Sequence, residues 1–223
     1  MRVRKILTLL GAAFFCLCAV TACGKKEPLS EEELIKNLQM PTVMITVGSY
    51  HASGVIIDNN DSGITIATVT HLMEGFDQGI IRFSDGHAGF ADVVYSDAVS
   101  DVTLLKIKRE DMDASFADSL KTVLVSKEAY GAMQPDDTVY VVGSAVSTAV
   151  NVMKGTFKAF DYYVPEFDRY LLYLYCDVYE GMSGSGVYTD EGFFVGLVTG
   201  GSDAGETVVI PLTDILDSLE KIN

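Results

Sequence analysis

With 223 residues the chain is long enough to bury a substantial core without disulfides or metals. Its 16 basic and 31 acidic residues leave a net charge of −15, which argues against a nucleic-acid partner, since such affinity rests on Lys and Arg neutralising phosphates. The first 22 residues read as a signal peptide: Arg2, Arg4 and Lys5 precede an apolar run from Ile6 to Val20 that is short for a transmembrane helix. Its end, Val20-Thr21-Ala22-Cys23-Gly24, has the form of a bacterial lipobox. There, cleavage before Cys23 follows attachment of diacylglycerol to its thiol, and two acyl chains suffice for stable membrane anchoring. The expected location is bacterial, extracytoplasmic and lipid-anchored to the cell membrane. Processing leaves 13 basic against 31 acidic residues, a net charge of −18.

Residues 23–41 are expected to form a tether and a short helix. Gly24-Lys25-Lys26-Glu27-Pro28 is polar, and Ser30 followed by Glu33 is a capping-box pattern that starts a helix through about Leu38. This helix is read as a spacer or a lid. Short apolar alternation then dominates, broken by Gly, Asp, Asn or Ser. The pattern predicts strands near 42–48, 53–57, 63–68, 79–84, 89–96 and 102–108, and near 137–143, 149–161, 169–176, 185–190, 193–199 and 206–211. Six and six is the count for two barrels. Asn59-Asn60-Asp61-Ser62-Gly63 and Asp85-Gly86 supply hairpin turn chemistry. The first barrel is expected over about 42–112, an irregular linker over 113–135 and the second barrel over 136–211. A C-terminal helix over 213–222 would be capped by Thr213, with Ile215, Leu216, Leu219 and Ile222 on one face. Of the four cysteines, Cys16 and Cys18 leave with the signal peptide and Cys23 is lipidated, so Cys176 stands alone, read as a small apolar residue on a buried strand. No metal-binding cluster is visible and no cofactor is expected.

Three stretches carry chemistry. Thr68-Val69-Thr70-His71 offers a base, Ser100-Asp101-Val102 a carboxylate, and Gly181-Met182-Ser183-Gly184-Ser185-Gly186 a nucleophile. A hydroxyl is a poor nucleophile at neutral pH, so acyl transfer needs an imidazole to take its proton and a buried acid to fix the imidazole tautomer. Glycines around Ser183 let the backbone turn sharply, so that the Gly181 and Ser183 amides can point at a developing oxyanion. His51 before a strand and His87 after an Asp-Gly turn read as exposed or structural. Asp101 is preferred to Asp97 because it leads directly into the apolar strand.

With these motifs the chain resembles the trypsin-like serine proteases, and within them the HtrA (high-temperature-requirement) branch. Ala52-Ser53-Gly54-Val55-Ile56-Ile57 is similar to that branch's Gly-Ser-Gly-x-x-Ile strand, and His71-Leu72-Met73-Glu74-Gly75 to its His-Val-Val-x-Gly. Asp101-Val102-Thr103-Leu104-Leu105-Lys106-Ile107 resembles its Asp-Leu-Ala-Leu-Leu-Lys-Ile. Phe83-Ser84-Asp85-Gly86, Lys154-Gly155-Thr156-Phe157 and Gly196-Leu197-Val198-Thr199-Gly200-Gly201 also match in order, so the likeness spans about Thr42 to Leu212.

The resemblance implies an all-β fold of two six-stranded barrels with the site between them. It also implies a serine endopeptidase acting on polypeptides through an acyl-enzyme on Ser183. The alternative is a catalytically silent relative that binds extended peptides in the cleft. Ser183 is preferred over Ser185, whose position is normally Gly in the family. Met182 stands where trypsin has Asp and HtrA-type enzymes usually Asn, which implies an enzyme not switched on by zymogen cleavage. The pocket reading stays open. Asp177 occupies the position from which trypsin selects Lys or Arg, whereas Val178 occupies the one that gives HtrA-type enzymes a small apolar pocket, with Thr199 and Gly200 on its wall. A PDZ module, usual in the HtrA branch, is not expected.

Overall fold

The computed structural model describes residues 29–144 and 149–222; the signal peptide and Cys23 lie outside them. The expected capping box is formed. The Glu33 amide donates to Ser30 Oγ at 3.3 Å and the Ser30 amide to Glu33 Oε2 at 3.0 Å, which starts helix α1 (Glu31–Gln39). Two of its apolar side chains, Leu34 and Leu38, are buried, so α1 is packed on the body of the protein and is not a free spacer.

Six strands follow: β1 (Thr42–Val47), β2 (Tyr50–Asn60), β3 (Gly63–Val69), β4 (Gln78–Phe83), β5 (Ala88–Asp97) and β6 (Val102–Lys108). They close into a barrel in the order β1-β2-β3-β6-β5-β4. Closure removes the unpaired edges that an open antiparallel sheet would expose. The connection to the second barrel is less irregular than its sequence suggests. It holds two short helices of six residues each, α2 (Ala114–Ser119) and α3 (Lys127–Ala132), each started by a short polar side chain: the Phe116 amide donates to Asp113 Oδ1 and the Ala129 amide to Ser126 Oγ.

The second barrel comprises β7 (Thr138–Gly143), β8 (Asn151–Val164), β9 (Arg169–Tyr175), β10 (Gly186–Thr189), β11 (Phe194–Gly201) and β12 (Glu206–Pro211). It closes in the order β10-β11-β12-β9-β8-β7. Helix α4 (Leu212–Glu220) has its N-cap at Pro211 and not at Thr213, with no side-chain cap bond. Pro211 still pairs with Gly196 in the sheet, so the helix starts as soon as the strand ends, with Leu212 and Ile215 driven inward.

Among the described residues, three large apolar clusters hold this arrangement, beside a small one of Val164, Leu171 and Val208. Ile45, Ile56, Ile66, Ile81 and Leu105 fill the first barrel, and Val141, Phe157, Leu174, Val187 and Val195 the second. The third joins the barrels: Val55, Val69, Leu104, Val142, Leu197 and Ile210 meet there with Leu34, Leu38, Leu212 and Ile215 of the terminal helices. Each fully buried aliphatic side chain contributes about 1.5–3 kcal/mol, so the seam between the barrels is held as firmly as their interiors.

Candidate active site

Strand register brings the base and the acid together. Val69, the last residue of β3, pairs with Val102, the first of β6, so the residues just beyond these ends are neighbours although 30 positions apart in sequence. His71 sits in a single 3-10 turn, Thr70–Leu72. Asp101 sits in the β5–β6 turn in a left-handed backbone conformation, φ +56°, which Asp tolerates better than most residues. The Thr70 amide donates to the Asp101 carbonyl at 3.0 Å, locking one turn to the other.

The Asp101 carboxylate is 8% exposed and is saturated with donors. The His71 amide reaches Oδ1 at 2.9 Å, His71 Nδ1 reaches Oδ2 at 2.8 Å, and Thr199 Oγ1 donates to Oδ2 at 2.5 Å. Burial pushes its pKa up, yet the bonds from the His71 ring and the Thr199 hydroxyl, with the imidazole charge and the His71 amide, outweigh burial and hold it below the usual carboxylate value. An ionised carboxylate only accepts, so Nδ1 carries the proton and Nε2 of the neutral ring is left as an acceptor. The rejected candidates behave as expected. Asp97 turns back on its own loop, accepting from the Val99 and Ser100 amides and the Ser100 hydroxyl. His51 contacts Thr46, and His87 pairs with Asp85 and stacks on Phe116.

The second barrel grips the Asp101 loop from outside as well. The Arg169 guanidinium donates to the Val99 carbonyl at 2.9 Å and pairs with Asp214 of α4. The acid is therefore positioned by groups from both halves of the chain.

Ser183 lies in the β9–β10 loop, pressed against the first barrel. The Ser53 amide donates to the Ser183 carbonyl at 2.9 Å and the Gly184 amide to the Val198 carbonyl at 2.8 Å. Gly184 has φ +81°, and a Cβ there would lie 2.0 Å from the Ser53 carbonyl oxygen and 2.7 Å from Thr68 Oγ1. Thr68 is three residues before His71, so Ser183 sits on the seam below the imidazole loop. Among the described residues its hydroxyl makes no hydrogen bond. The preceding residues form a type II turn, with the Met182 amide bonded to the Tyr179 carbonyl at 3.0 Å and Gly181 at φ +88°. Among the described residues the Gly181 and Ser183 amides donate to no group of the chain. Met182 is 1% exposed and packs in the second barrel's core, so apolar burial holds this turn. Ser185 is buried and its hydroxyl donates to Ser53 Oγ at 3.1 Å.

Two expected pocket residues lie elsewhere. Thr199 is buried and spends its hydroxyl on Asp101. Asp177 is exposed, with Oδ1 2.7 Å from where a Cβ on Gly205 would stand, and does not line the cavity beside Ser183. The reason is a tight turn just past β9: the Val178 amide donates back to the Cys176 carbonyl at 2.9 Å, so Cys176 stays buried, Asp177 at the apex is exposed and Val178 lines the cavity. The trypsin-like pocket base is therefore absent from this cavity. It measures about 290 Å³ and has a mixed lining, with Val178, Val198, Gly200 and Gly201 beside Tyr179, Ser202 and the acidic Glu180 and Asp203. Cys176 is buried, and burial with the neighbouring Asp177 charge pushes its thiol pKa up to about 11, which suits a packing role.

Ser53 was not singled out by sequence. It is fully buried, and its carbonyl accepts from Thr68 Oγ1 at 2.8 Å while its Oγ accepts from the Ser144 amide at 2.8 Å. With its bonds to Ser183 and Ser185 it ties four segments of the seam together. The available signal was a lone small polar residue in an apolar strand.

An imidazole held by a buried carboxylate, and a serine on a glycine-rich turn pressed against the first barrel, in a fold of two six-stranded barrels, fit one class: a serine peptidase. The family model of the trypsin-like peptidase domain matches residues 52–197, well over half of the sequence, and the chain belongs to that family. The solved structure of the serine endoprotease from Yersinia pestis is similar at a TM-score of 0.69 and 22% identity, over 88% of this chain and 68% of that one; at that identity the likeness is one of fold. No curated protein sequence matches.

Proposed function

We propose that the protein is a lipid-anchored endopeptidase of the HtrA type that cleaves polypeptides through an acyl-enzyme on Ser183. The observation that carries this reading is the Asp101 carboxylate, which takes hydrogen bonds from both barrels and leaves His71 Nε2 as the acceptor. As substrate binds, Nε2 takes the hydroxyl proton while Ser183 Oγ attacks the scissile carbonyl carbon. The oxyanion is received by the Gly181 and Ser183 amides. Collapse breaks the C–N bond, and the amine leaves with the proton from His71. Water, deprotonated by His71, then attacks the ester; the acid product leaves and the hydroxyl is restored.

The substrate backbone lies along Gly200–Gly201, and the cavity beside Val178 takes a small aliphatic side chain at the cleaved residue. A fluorophosphonate probe is expected to label the mature protein, and Ser183→Ala to abolish labelling. Folded wild type that stays unlabelled would leave only the peptide-binding reading.

Anchoring rests on the sequence around Cys23. Cys23→Ser is expected to release the protein from the membrane fraction or leave it unprocessed, with loss of label from a fatty-acid analogue. A variant processed and retained like wild type would refute lipidation.

A further inference from the structure

Resting on the peptidase reading, we propose that a second cavity, on the other side of the Gly200–Ser202 segment from Ser183, is a substrate pocket for a lysine or arginine side chain upstream of the cleaved bond. This cavity measures about 520 Å³ and shares Gly200, Gly201 and Ser202 with the one that holds Ser183. The two glycines face opposite ways. A Cβ on Gly200 would lie 3.5 Å from the Phe167 ring, and one on Gly201 only 2.4 Å from Val178 Cγ2. Lacking side chains, they leave this strand bare toward both cavities. An extended peptide laid along it sends alternate side chains to opposite faces, so a substrate seated in the Ser183 cavity offers an upstream side chain to the other.

The walls of the second cavity select the chemistry of that side chain. Tyr162 and Tyr173 are stacked, with ring centroids 4.4 Å apart, and Phe167 closes the hairpin tip. Glu166 and Glu206 line the same space. Glu206 is held by donors, accepting from Tyr173 Oη at 3.1 Å and Ser202 Oγ at 3.2 Å. No Lys or Arg lines the cavity, and neither carboxylate is ion-paired among the described residues. One ring away, the same row already forms part of a cation's setting: Lys158 Nζ, paired with Asp136 at 2.6 Å, stands 5.0 Å from the centroid of Tyr175, which packs edge-on against Tyr173. An apolar stem with a charged head fits rings and carboxylates together, whereas an acidic side chain would be repelled.

The test uses the mature protein and peptides with valine at the cleaved residue and lysine, norleucine or glutamate placed in turn two, three and four residues upstream. At one position lysine is expected to raise kcat/KM about tenfold over norleucine, a difference of about 1.4 kcal/mol, and glutamate to lower it. In the double variant Glu166→Gln/Glu206→Gln that ratio should fall to about twofold or less. Taking the ratio within each protein cancels any change in folded fraction. Equal rates for lysine and norleucine at all positions, or a ratio that survives the double variant, would overturn the pocket. If wild type cleaves none of the peptides, the peptidase reading fails, and anisotropy titration of the same peptides with Ser183→Ala decides the pocket alone. A lysine preference in Kd that the added Glu166→Gln/Glu206→Gln removes upholds it, and its absence overturns it.

Discussion

Replacing Asp101 by asparagine is expected to lower kcat by about four orders of magnitude with little change in KM. The carboxylate accepts from the His71 ring, the His71 amide and the Thr199 hydroxyl together. An amide cannot accept at every one of these points, and turning its NH2 toward Nδ1 moves the ring proton to Nε2, where it blocks the base. The carboxylate also gives a pH signature. Its folded pKa lies below the unfolded value of about 3.9, so its contribution to stability is present above about pH 4 and is lost as pH falls through the lower folded value. The stability difference between wild type and Asp101→Asn should therefore shrink in acid below pH 4. Steady-state kinetics and urea unfolding across pH check both parts; a kcat within tenfold of wild type would remove Asp101 from the mechanism.

Gly184→Ala is expected to be the most disruptive single-methyl change at the site. The backbone there is left-handed, φ +81°, and the new Cβ would stand 2.0 Å from the Ser53 carbonyl oxygen. That atom is main chain, already bonded to Thr68 Oγ1, and cannot swing aside. Either the Ser183 turn lifts from the seam or the barrels part. The left-handed conformation alone costs about 1–2 kcal/mol for a residue with a Cβ, and the clash should bring the total to about 3 kcal/mol or more. In a chain of this size that lowers Tm by about 6–12 °C. Labelling of Ser183 should fall even in the folded fraction. Gly75→Ala separates the two contributions, since Gly75 has φ +80° with nothing within 4 Å of its added Cβ. If calorimetry shows the two variants to be equally destabilised, close packing at the seam is not what demands glycine at 184.

Ser53 and Arg169 show why the supports of the site were harder to read than its reactive groups. Reactive groups need rare residue types in a recognisable local setting, such as histidine after an apolar strand or serine between glycines. A supporting group needs only a hydroxyl or a guanidinium that folding brings within reach. Arg169 meets the Val99 carbonyl across 70 positions, and Ser53 meets Ser185 across 132. No local pattern encodes either meeting.

Sequence by itself determined the twelve strands and the capping box of α1, and it pointed to Asp101 rather than Asp97 as the partner of His71, because each is written in alternation, turn chemistry or cap spacing over a few residues. It also narrowed the primary pocket to Asp177 or Val178 without choosing. Only the tertiary structure decided that Asp177 faces outward, that Thr199 serves the acid and not the pocket, that α4 starts at Leu212, and that α1 packs into the seam between the barrels. In each case the deciding partner lies far away along the chain: the Gly205 turn for Asp177, the β5–β6 turn for Thr199, the paired strand β11 for Pro211, and the inter-barrel cluster for Leu34 and Leu38. Local pattern specifies which way a side chain alternates; the closing of two barrels against each other specifies what it meets.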